Sequence, residues 1–427
     1  MINSYGNQEN QVKYKMGKFV NNVNNLNGKE WLRNSVNYWF FNDDSIDKIY
    51  NRFKSFCHKK GRAIKNIDEI IVQKAAFSFN YVQKFSDLNK FINLVMLGEY
   101  NSYHILFTEK EVINSILIEN YVYKALVDVN IEYRGKIIID INNHSKIKYA
   151  FLFLNRNKEE NSKYVEYKYD RKEKIANVNK TPKVIESKSK IDRIGLKHPA
   201  PYSYIDIEKL CDYENITNKV VLDPFLGVGS TFLATYKTNQ NIGIELNTEY
   251  ISMLKDRFKE LNFEGLSIQD MKIINGDCLS EITHINKKID VVITSPPYFS
   301  ILKNNTKGIR TDKSQSRQGI VHYSESEKDF ENFYSYSDYI KKIGDLFEKI
   351  LKKKNNELSV YIVISDFTVD KKEKNVHGDL IEELSKRGYK YCGTDYILQN
   401  QKSIYPFGYP YKIVLNHIYQ YIIKFRG

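Results

Sequence analysis

The segment VVLDPFLGVGSTFLATY, residues 220–236, joins a short apolar run to a glycine-containing turn and a helix-forming stretch. Gly227 and Gly229 allow the backbone to turn tightly and to approach a ligand without a Cβ in the way. Ser230 then opens the predicted helix. The segment therefore predicts a strand–turn–helix unit with a ligand-facing turn.

Downstream of this segment, short apolar strands alternate with helical stretches as far as residue 398. Two last strand-like stretches, YCGTDYILQ and YKIVLNHIYQYIIKF, close the chain. This alternation predicts an α/β fold with a Rossmann-like, seven-stranded, mostly parallel sheet covered on both faces and an antiparallel hairpin at one edge. The ligand crevice of such a sheet lies at the carboxyl ends of its strands.

The chain has 427 residues, which suits two domains. Residues 163–196 are rich in Lys and Arg and poor in large apolar residues, and we predict a basic linker there. It separates an N-terminal α+β domain, residues 1–162, from a catalytic domain, residues 197–427. Within the N-terminal domain, residues 67–85 have helical spacing, whereas residues 136–141 and 148–155 are typical of strands.

The net charge and the cysteine spacing indicate which classes of protein are favoured and which are not. A formal net charge of +13 and a pI near 9.1 favour a polyanionic partner. The four cysteines are too widely spaced for a disulfide framework or a metal site, so we expect no metal. The sequence shows neither a signal peptide nor a membrane-spanning apolar run, which predicts a soluble cytoplasmic protein. The cysteines are Cys57, Cys211, Cys278 and Cys392.

Acidic residues stand at the ends of three successive predicted strands: Asp223, Glu245 and Asp277. Glu245 follows the glycine turn by about 20 residues, where a carboxylate can accept both hydroxyls of a ribose. Asp277 is placed to receive the exocyclic amine of an adenine ring. The third glycine of a dinucleotide site and the Lys-Ser/Thr of a phosphate loop are missing, which disfavours a dehydrogenase and indicates a nucleoside ligand without phosphates.

The next strand ends in VVITSPPYFS, residues 291–300. Proline has no backbone N–H and a fixed φ, so Pro296 and Pro297 hold the chain rigid just past the strand. Their position leaves carbonyl oxygens that no helix or sheet uses, and these oxygens can face a ligand.

The two segments together resemble the S-adenosylmethionine-dependent DNA amino-methyltransferases, which modify N4 of cytosine or N6 of adenine. The family's cofactor motif is similar to DPFLGVGST, its catalytic motif to TSPPY, and KHPAPYS, residues 197–203, is similar to its His-Pro segment. The resemblance covers roughly residues 190–425 and implies a class I methyltransferase fold with S-adenosylmethionine as cofactor. It implies cofactor-binding roles for His198, Pro199, Asp223, Pro224, Phe225, Gly227, Gly229, Ser230, Glu245 and Asp277.

The resemblance also implies a catalytic role for Ser295, Pro296, Pro297 and Tyr298. The Ser295 hydroxyl and the Pro296 carbonyl are candidate acceptors for the target amine, and Tyr298 would stack on a base flipped out of the duplex. Serine at the first position resembles the N4-cytosine subgroup. N6-adenine methylation, an RNA amino-methyltransferase and a catalytically silent DNA-binding protein remain open as alternatives.

The order of the motifs bears on DNA recognition. The cofactor motif precedes the catalytic motif with about 65 residues between them, unlike members of the family in which the catalytic motif comes first. Recognition must therefore lie in the N-terminal domain, which we favour, or after Tyr298. There, five cations in residues 302–323 suit a phosphate-gripping loop, although a plain solvated loop explains them as well. They are Lys303, Lys307, Arg310, Lys313 and Arg317.

These inferences give double-stranded DNA as the partner and a restriction–modification system, with a cognate endonuclease, as the setting. The sequence leaves the oligomeric state open. A nuclease pattern can be drawn from Asp140, Glu166 and Lys168, but Glu186 and Lys188 form the same Glu-x-Lys pair. In a lysine-rich chain this pattern often arises by chance, so it is weak evidence for a nuclease.

Overall fold

The computed structural model describes two compact units, whose residues are not contiguous in sequence. Unit 1 comprises Met1–Val184, Asp370–Gly378 and Gln399–Tyr419, and unit 2 comprises Ile185–Val369, Asp379–Leu398 and Gln420–Gly427. Two segments that the sequence places in the catalytic domain thus belong to unit 1. The structure describes residues 24, 26–57, 63–65, 77–127, 129–156, 175, 181–187, 191–198, 202–261, 271–299, 329–370, 372–400, 402–405, 407–408 and 412–427.

Unit 1 is built on a six-stranded mixed sheet in the order β1-β7-β8-β4-β3-β2. Strands β2, β3 and β4 run parallel, β8 is antiparallel to β4 and β7, and β1 is parallel to β7. Its elements are α1 (Gly28–Asn34), β1 (Tyr38–Phe41), α2 (Ile46–Cys57), β2 (Ala63–Ile64), β3 (Phe77–Tyr81), α3 (Phe85–Met96), β4 (Tyr103–Thr108), β5 (Val112–Ile113), β6 (Ile116–Leu117), α4 (Ile118–Val127), β7 (Ile131–Ile141) and β8 (Lys146–Asn155).

Strand β3 corrects the prediction of a helix over residues 67–85 at positions 77–81, and residues 67–76 lie outside the described part of the chain. Phe77, Phe79 and Tyr81 alternate with polar Ser78 and Asn80. All of them except Tyr81 are buried in this strand, which lies between β2 and β4. Period-two alternation in an aromatic-rich run is a strand signal, and here it was overlooked because the run directly follows apolar residues with helical spacing. The strands predicted over 136–141 and 148–155 lie within β7 and β8.

From residue 184 onward, the largest sheet has eight strands in the order β12-β11-β10-β13-β14-β18-β17-β9. The elements are β9 (Val184–Glu186), α5 (Tyr204–Glu214), β10 (Val220–Asp223), α6 (Ser230–Thr235), β11 (Gln240–Glu245), α7 (Thr248–Glu260), β12 (Lys272–Asn275), α8 (Cys278–His284), β13 (Ile289–Thr294), α9 (Tyr336–Leu351), β14 (Lys354–Ile364), β15 (Phe367–Val369), β16 (Lys372–Lys374), α10 (Val376–Lys386), β17 (Lys390–Leu398) and β18 (Tyr419–Arg426).

This sheet confirms the predicted Rossmann-like fold, and the six-stranded sheet of unit 1 is the additional N-terminal sheet. Strands β10 to β14 are parallel to one another, and β18 is antiparallel to β14. The eighth strand, β9, lies in what the sequence predicts to be linker. The order reverses between β10 and β13, so the carboxyl ends of these two strands border the crevice that α/β sheets use for ligands.

Apolar side chains pack on both faces of the unit 2 sheet. One cluster joins the strand residues Val221, Ile293 and Val363 to helix α5, and a second packs Phe232 of α6 against Leu254 of α7. These clusters hold the turn after β10 between two helices. No helix among the described residues is long and apolar enough to cross a membrane.

Candidate active site

A pocket of about 650 Å³, open to solvent, lies at the carboxyl ends of β10, β11, β12 and β13. Every residue that lines it belongs to unit 2. The lining residues are His198, Pro224, Phe225, Gly227, Ile244, Glu245, Leu246, Asn247, Tyr250, Gly276, Asp277, Cys278, Ser295, Pro296, Pro297, Asp329 and Phe330. The pocket thus unites the predicted cofactor turn with three residues of the predicted catalytic motif.

The turn after β10 requires its glycines. Gly227 and Gly229 have φ values of +52° and +78°, which side chains disfavour. A Cβ on Gly229 would lie 2.5 Å from Leu254 Cδ1, and one on Gly227 would lie 3.2 Å from His198 Nε2. The bare backbone therefore lets helix α7 and the His198 ring approach the turn closely.

Asp223 does not line the pocket. It is fully buried, and its carboxylate accepts hydrogen bonds from Thr231 Oγ1 and Thr294 Oγ1, both at 2.6 Å. The Phe225 N–H and the Tyr202 hydroxyl also donate to it, at 3.0 and 3.3 Å. Burial raises the pKa of Asp223, and these donors oppose that shift. Asp223 thus ties the cofactor turn to the end of β13, while direct contact with a cofactor stays a prediction.

Glu245 lies between the glycine turn and helix α7. Its two carboxylate oxygens each accept a backbone N–H, from Gly227 and from Asn247, at 2.7 Å. Burial raises its pKa to about 7, and the nearby Asp223 and Asp329 carboxylates add to the shift. Each oxygen keeps a second lone pair, so the side chain can still accept hydroxyl donors from a ligand.

Asp277 caps helix α8, where it accepts the Leu279 N–H at 3.0 Å, and it also lines the pocket. The turn-forming role and the predicted ligand-binding role are therefore compatible. Cys278 beside it is buried, and burial raises the pKa of its thiol well above the ordinary value. The thiol consequently stays protonated at neutral pH and is a poor nucleophile.

Only part of the predicted catalytic motif lines the pocket. Ser295, Pro296 and Pro297 line the pocket, but Tyr298 does not. The Tyr298 ring lies edge-on to Phe367, with 5.6 Å between centroids, and its hydroxyl accepts Gln420 Nε2 at 3.5 Å. Stacking of Tyr298 on a base would require this ring to leave its packing, and it stays a prediction.

Two further predicted residues support the turn from behind. The His198 ring packs on Tyr250, with 4.8 Å between centroids, and both residues reach the pocket. Ser230 is buried and donates to the Tyr202 carbonyl at 2.8 Å. Ser230 therefore fastens the start of α6, and a direct role in binding cofactor stays a prediction. Pro199 and the five cations at 303, 307, 310, 313 and 317 lie outside the described residues.

Arg257 holds the cofactor turn in place, a role that no sequence pattern indicated. Its guanidinium is fully buried and pairs with Asp192 at 2.6 Å, while Nη1 donates to the Val228 carbonyl and to Ser230 Oγ at 2.9 and 3.0 Å. Arg257 thus joins the segment before His198 to the underside of the cofactor turn. Its signal was hidden because it stands on the amphipathic helix α7, where cations are common.

Asp329 and Phe330 also line the pocket, although no sequence pattern indicated them. Asp329 is buried and lines the pocket, and the Phe330 ring stands edge-on to Phe225 with 4.9 Å between centroids. They precede α9 rather than ending a strand, so no strand-end pattern marks them. The only available signal was the aromatic cluster DFENFY, residues 329–334.

The pocket is acidic in a basic protein. It holds the carboxyl groups of Glu245, Asp277 and Asp329, and none of the described lining residues is a lysine or arginine. Such a pocket favours a ligand with positive charge. S-adenosylmethionine fits this arrangement, because it joins a nucleoside to a sulfonium and an ammonium group. Glu245 and Asp277 would bind its nucleoside part, and the glycine turn would leave room for its methionine part.

The fold and this pocket define a class I, S-adenosylmethionine-dependent methyltransferase. A family model described as DNA methylase, of the N6/N4 type, matches residues 16–256, more than half of the chain. The chain belongs to this family, whose members use S-adenosylmethionine. The match includes the cofactor turn and ends before Ser295.

Two curated relatives come from Clostridium acetobutylicum. A release factor glutamine methyltransferase is 28% identical over 166 residues, 37% of this chain and 52% of the relative. An uncharacterised RNA methyltransferase is 34% identical over 94 residues, 22% of this chain and 20% of the relative. The chain therefore spans about half the length of one relative and a fifth of the other.

Solved structures are similar at low identity. The magnesium protoporphyrin IX methyltransferase of Synechocystis with bound S-adenosylmethionine is 10% identical, with a TM-score of 0.31 over 56% of this chain and 86% of that chain. A putative RNA methyltransferase from Pyrococcus horikoshii is 16% identical, with a TM-score of 0.29 over 52% and 82%. Likeness at this level carries no argument about substrate.

Proposed function

We propose that the protein is a site-specific DNA methyltransferase that transfers a methyl group from S-adenosylmethionine to N4 of cytosine in duplex DNA. The observation that carries this proposal is the placement of Ser295, Pro296 and Pro297 on the wall of the acidic pocket that holds Glu245 and Asp277. The target amine and the cofactor would then share one crevice. The family membership supports DNA as the substrate.

The chain's own residues would activate the amine. An exocyclic amine is a poor nucleophile because its lone pair is delocalised into the ring. Hydrogen-bond acceptors on both of its N–H groups draw the nitrogen toward a tetrahedral geometry, and the Ser295 hydroxyl and the Pro296 carbonyl would supply them. Because Pro297 has no N–H, no backbone donor at that position competes for the amine.

Bound S-adenosylmethionine supplies an electrophilic methyl group on a positively charged sulfur. The nitrogen would gain the methyl group and lose one proton to solvent water, and the sulfur would keep the electron pair of the broken bond. Orientation of the amine by residues 295–297 would provide much of the rate. A base inside a duplex must first be flipped out, at a cost of a few kcal/mol.

Serine at position 295 favours cytosine N4, because an aspartate is commoner there in adenine N6 enzymes. Both side chains accept a hydrogen bond from an amine, so N6 of adenine is the second candidate. We place the reaction in the cytoplasm, in a restriction–modification system with a cognate endonuclease that cuts the same site.

The identity of the methylated base tests this proposal. Purified protein is incubated with tritiated S-adenosylmethionine and duplex DNA of varied sequence, and the DNA is digested to nucleosides and separated. Label in N4-methylcytosine is expected. Label in N6-methyladenine would overturn the choice of base, and label only in an RNA substrate would overturn DNA as the substrate.

A further inference from the structure

The chain carries the same order of elements twice. The first set is β3, α3, β4, the short strands β5 and β6, α4, β7 and β8, and the second is β13, α9, β14, the short strands β15 and β16, α10, β17 and β18. Among the described residues, each α-helix and strand of one set has a counterpart in the other, and only the short 3-10 helix Phe330–Asn332 before α9 has none. Self-similarity of this kind indicates an internal repeat.

Strand neighbours also match between the two sets. In the first, β3 is parallel to β4, β4 is antiparallel to β8, and β8 lies next to β7. In the second, β13 is parallel to β14, β14 is antiparallel to β18, and β18 lies next to β17. A further parallel strand flanks each set, β2 beside β3 and β10 beside β13.

Backbone details repeat at a constant spacing. Gly135 in β7 and Gly393 in β17 have φ values of +117° and +113°, and each stands in a Tyr-x-Gly sequence. Five residues earlier, Asn130 and Gly388 also have positive φ, +57° and +90°. Both pairs are 258 residues apart, as are the first residues of α4 and α10. Irregular positions of this kind are built-in features of a fold, so their repetition supports a common origin.

The first set lacks the residues for chemistry. Val82, Gln83 and Lys84 follow β3 where Ser-Pro-Pro-Tyr follows β13, and the first 181 residues contain no proline. Residues 65–76, between β2 and β3 in the sequence, contain no glycine and therefore lack the Gly-x-Gly motif that follows β10. Ion pairs fill the carboxyl-end edge instead, where Lys146 contacts Asp44 and Glu109 at 2.7 and 3.1 Å.

The same edge presents a rigid polar turn between β7 and β8. Asn142, Asn143 and His144 have φ values of +51°, +52° and +69°, a run of three left-handed residues. Strain of this kind persists only where surrounding structure holds it and is enriched at functional sites. Here the buried Asp140 holds it: its carboxylate accepts the His144 N–H at 2.7 Å and the Tyr38 hydroxyl at 2.8 Å, and it also contacts His144 Nδ1.

We propose that the first set is a chemically silent copy of the catalytic half of the methyltransferase, and that it contacts duplex DNA through the turn Asn142–His144 at the carboxyl ends of its strands. In the second set the residues that follow β13 at this edge form one wall of the pocket proposed to receive the target base, so the inference rests on the proposed function. Asn142 and Asn143 are exposed, and asparagine amides pair with base edges and phosphates. The role also accounts for Asp140, whose carboxylate orders the turn rather than serving a nuclease.

The test compares Asn142→Gly/Asn143→Gly with Asn130→Gly in the full-length protein. Glycine removes the amides without a penalty at positive φ. Asn130 is a matched control, because it is exposed and left-handed but lies at the opposite, amino-end edge. Fluorescence anisotropy with a labelled duplex should show binding about tenfold weaker or more for the double variant, and unchanged binding for the control.

Unchanged DNA affinity in the double variant, or an equal loss in Asn130→Gly, would overturn the DNA-contacting role. Calorimetric titration should find one molecule of S-adenosylmethionine bound per chain, and two would overturn the silent copy. These readouts are independent of methyl transfer. If the variants bind DNA as predicted but the wild-type protein transfers no methyl group, the proposed function is refuted. The DNA-contacting role of the turn is then still supported.

Discussion

At the scale of single residues, the charge of the pocket is the feature with the most direct consequence. Glu245 has a pKa of about 7, so its charge changes near neutral pH. Asp329 adds a second buried carboxyl group close enough to raise that pKa. The pocket therefore responds both to pH and to the charge of what it binds.

Affinity for S-adenosylmethionine should rise with pH through about 7. Below that pH Glu245 is protonated and neutral, and above it the carboxylate accepts hydroxyl donors and attracts the cationic cofactor. Calorimetric dissociation constants from about pH 6 to about pH 8 check this. Glu245→Gln should flatten the profile, and a wild-type profile as flat as that of the variant would contradict the assignment.

The stability of the ligand-free protein should change in the opposite sense. The pKa of Glu245 is raised in the folded protein. Between its ordinary pKa and about pH 7, Glu245 is therefore protonated in the folded protein but ionised in the unfolded chain. Its contribution to the free energy of unfolding therefore falls as pH rises through this window. Glu245→Gln should remove that part of the pH dependence in urea denaturation.

Asp329→Asn should weaken the preference for S-adenosylmethionine over its demethylated product. The cofactor carries one more positive charge than the product, so a lost carboxylate costs the cofactor more, by about tenfold in dissociation constant. Asp256→Asn makes the same charge change on the exposed face of α7 and should leave both constants unchanged. Equal weakening of both ligands by Asp329→Asn would exclude discrimination by this side chain.

At the scale of elements, the end of β13 is fixed by its hydrogen bond to the end of β10. Thr294 directly precedes Ser295, and its hydroxyl donates to the buried Asp223 at 2.6 Å. Asp223 in turn holds Thr231 at the start of α6. One carboxylate thus sets the position of the catalytic motif relative to the cofactor turn.

Thr294→Val should lower kcat by about tenfold or more while changing the dissociation constant of S-adenosylmethionine much less, because the proposed amine acceptors lose their alignment. The variant also leaves a buried carboxylate oxygen short of one donor, which costs about 1–3 kcal/mol of stability. Thr294→Ser keeps the hydroxyl and should restore kcat. A Thr294→Ser variant as impaired as Thr294→Val would show that packing, rather than the hydrogen bond, is what matters.

Elements also show how far the sequence could predict the structure. The residues at the ends of β10, β11, β12 and β13 were found because glycine turns and acidic or proline-rich strand ends are local signals. Strand β3 was mistaken for a helix, since its five alternating residues directly follow a stretch of sequence whose apolar residues have helical spacing. Asp329 reaches the pocket through tertiary packing, and Tyr298 packs away from it, and neither placement has a local signature.

At the scale of the whole molecule, the repeated set of elements changes how the N-terminal region is understood. The sequence predicts a domain for target recognition there, and the structure adds that its sheet has the neighbour order of the catalytic half. The family model matches from residue 16 through the cofactor turn. A copy of the catalytic half ahead of the cofactor turn is consistent with such a match, because some members carry the catalytic motif first.

Residues 295–297 are proposed to perform methyl transfer at one wall of the pocket, apart from the residues that would bind the cofactor. The most direct measurement is single-turnover transfer of a tritiated methyl group to duplex DNA by Ser295→Ala, paired with the dissociation constant of S-adenosylmethionine for the same variant. We predict a rate reduced by about 100-fold with the dissociation constant unchanged. A transfer rate equal to that of the wild type would show that Ser295 has no part in methyl transfer.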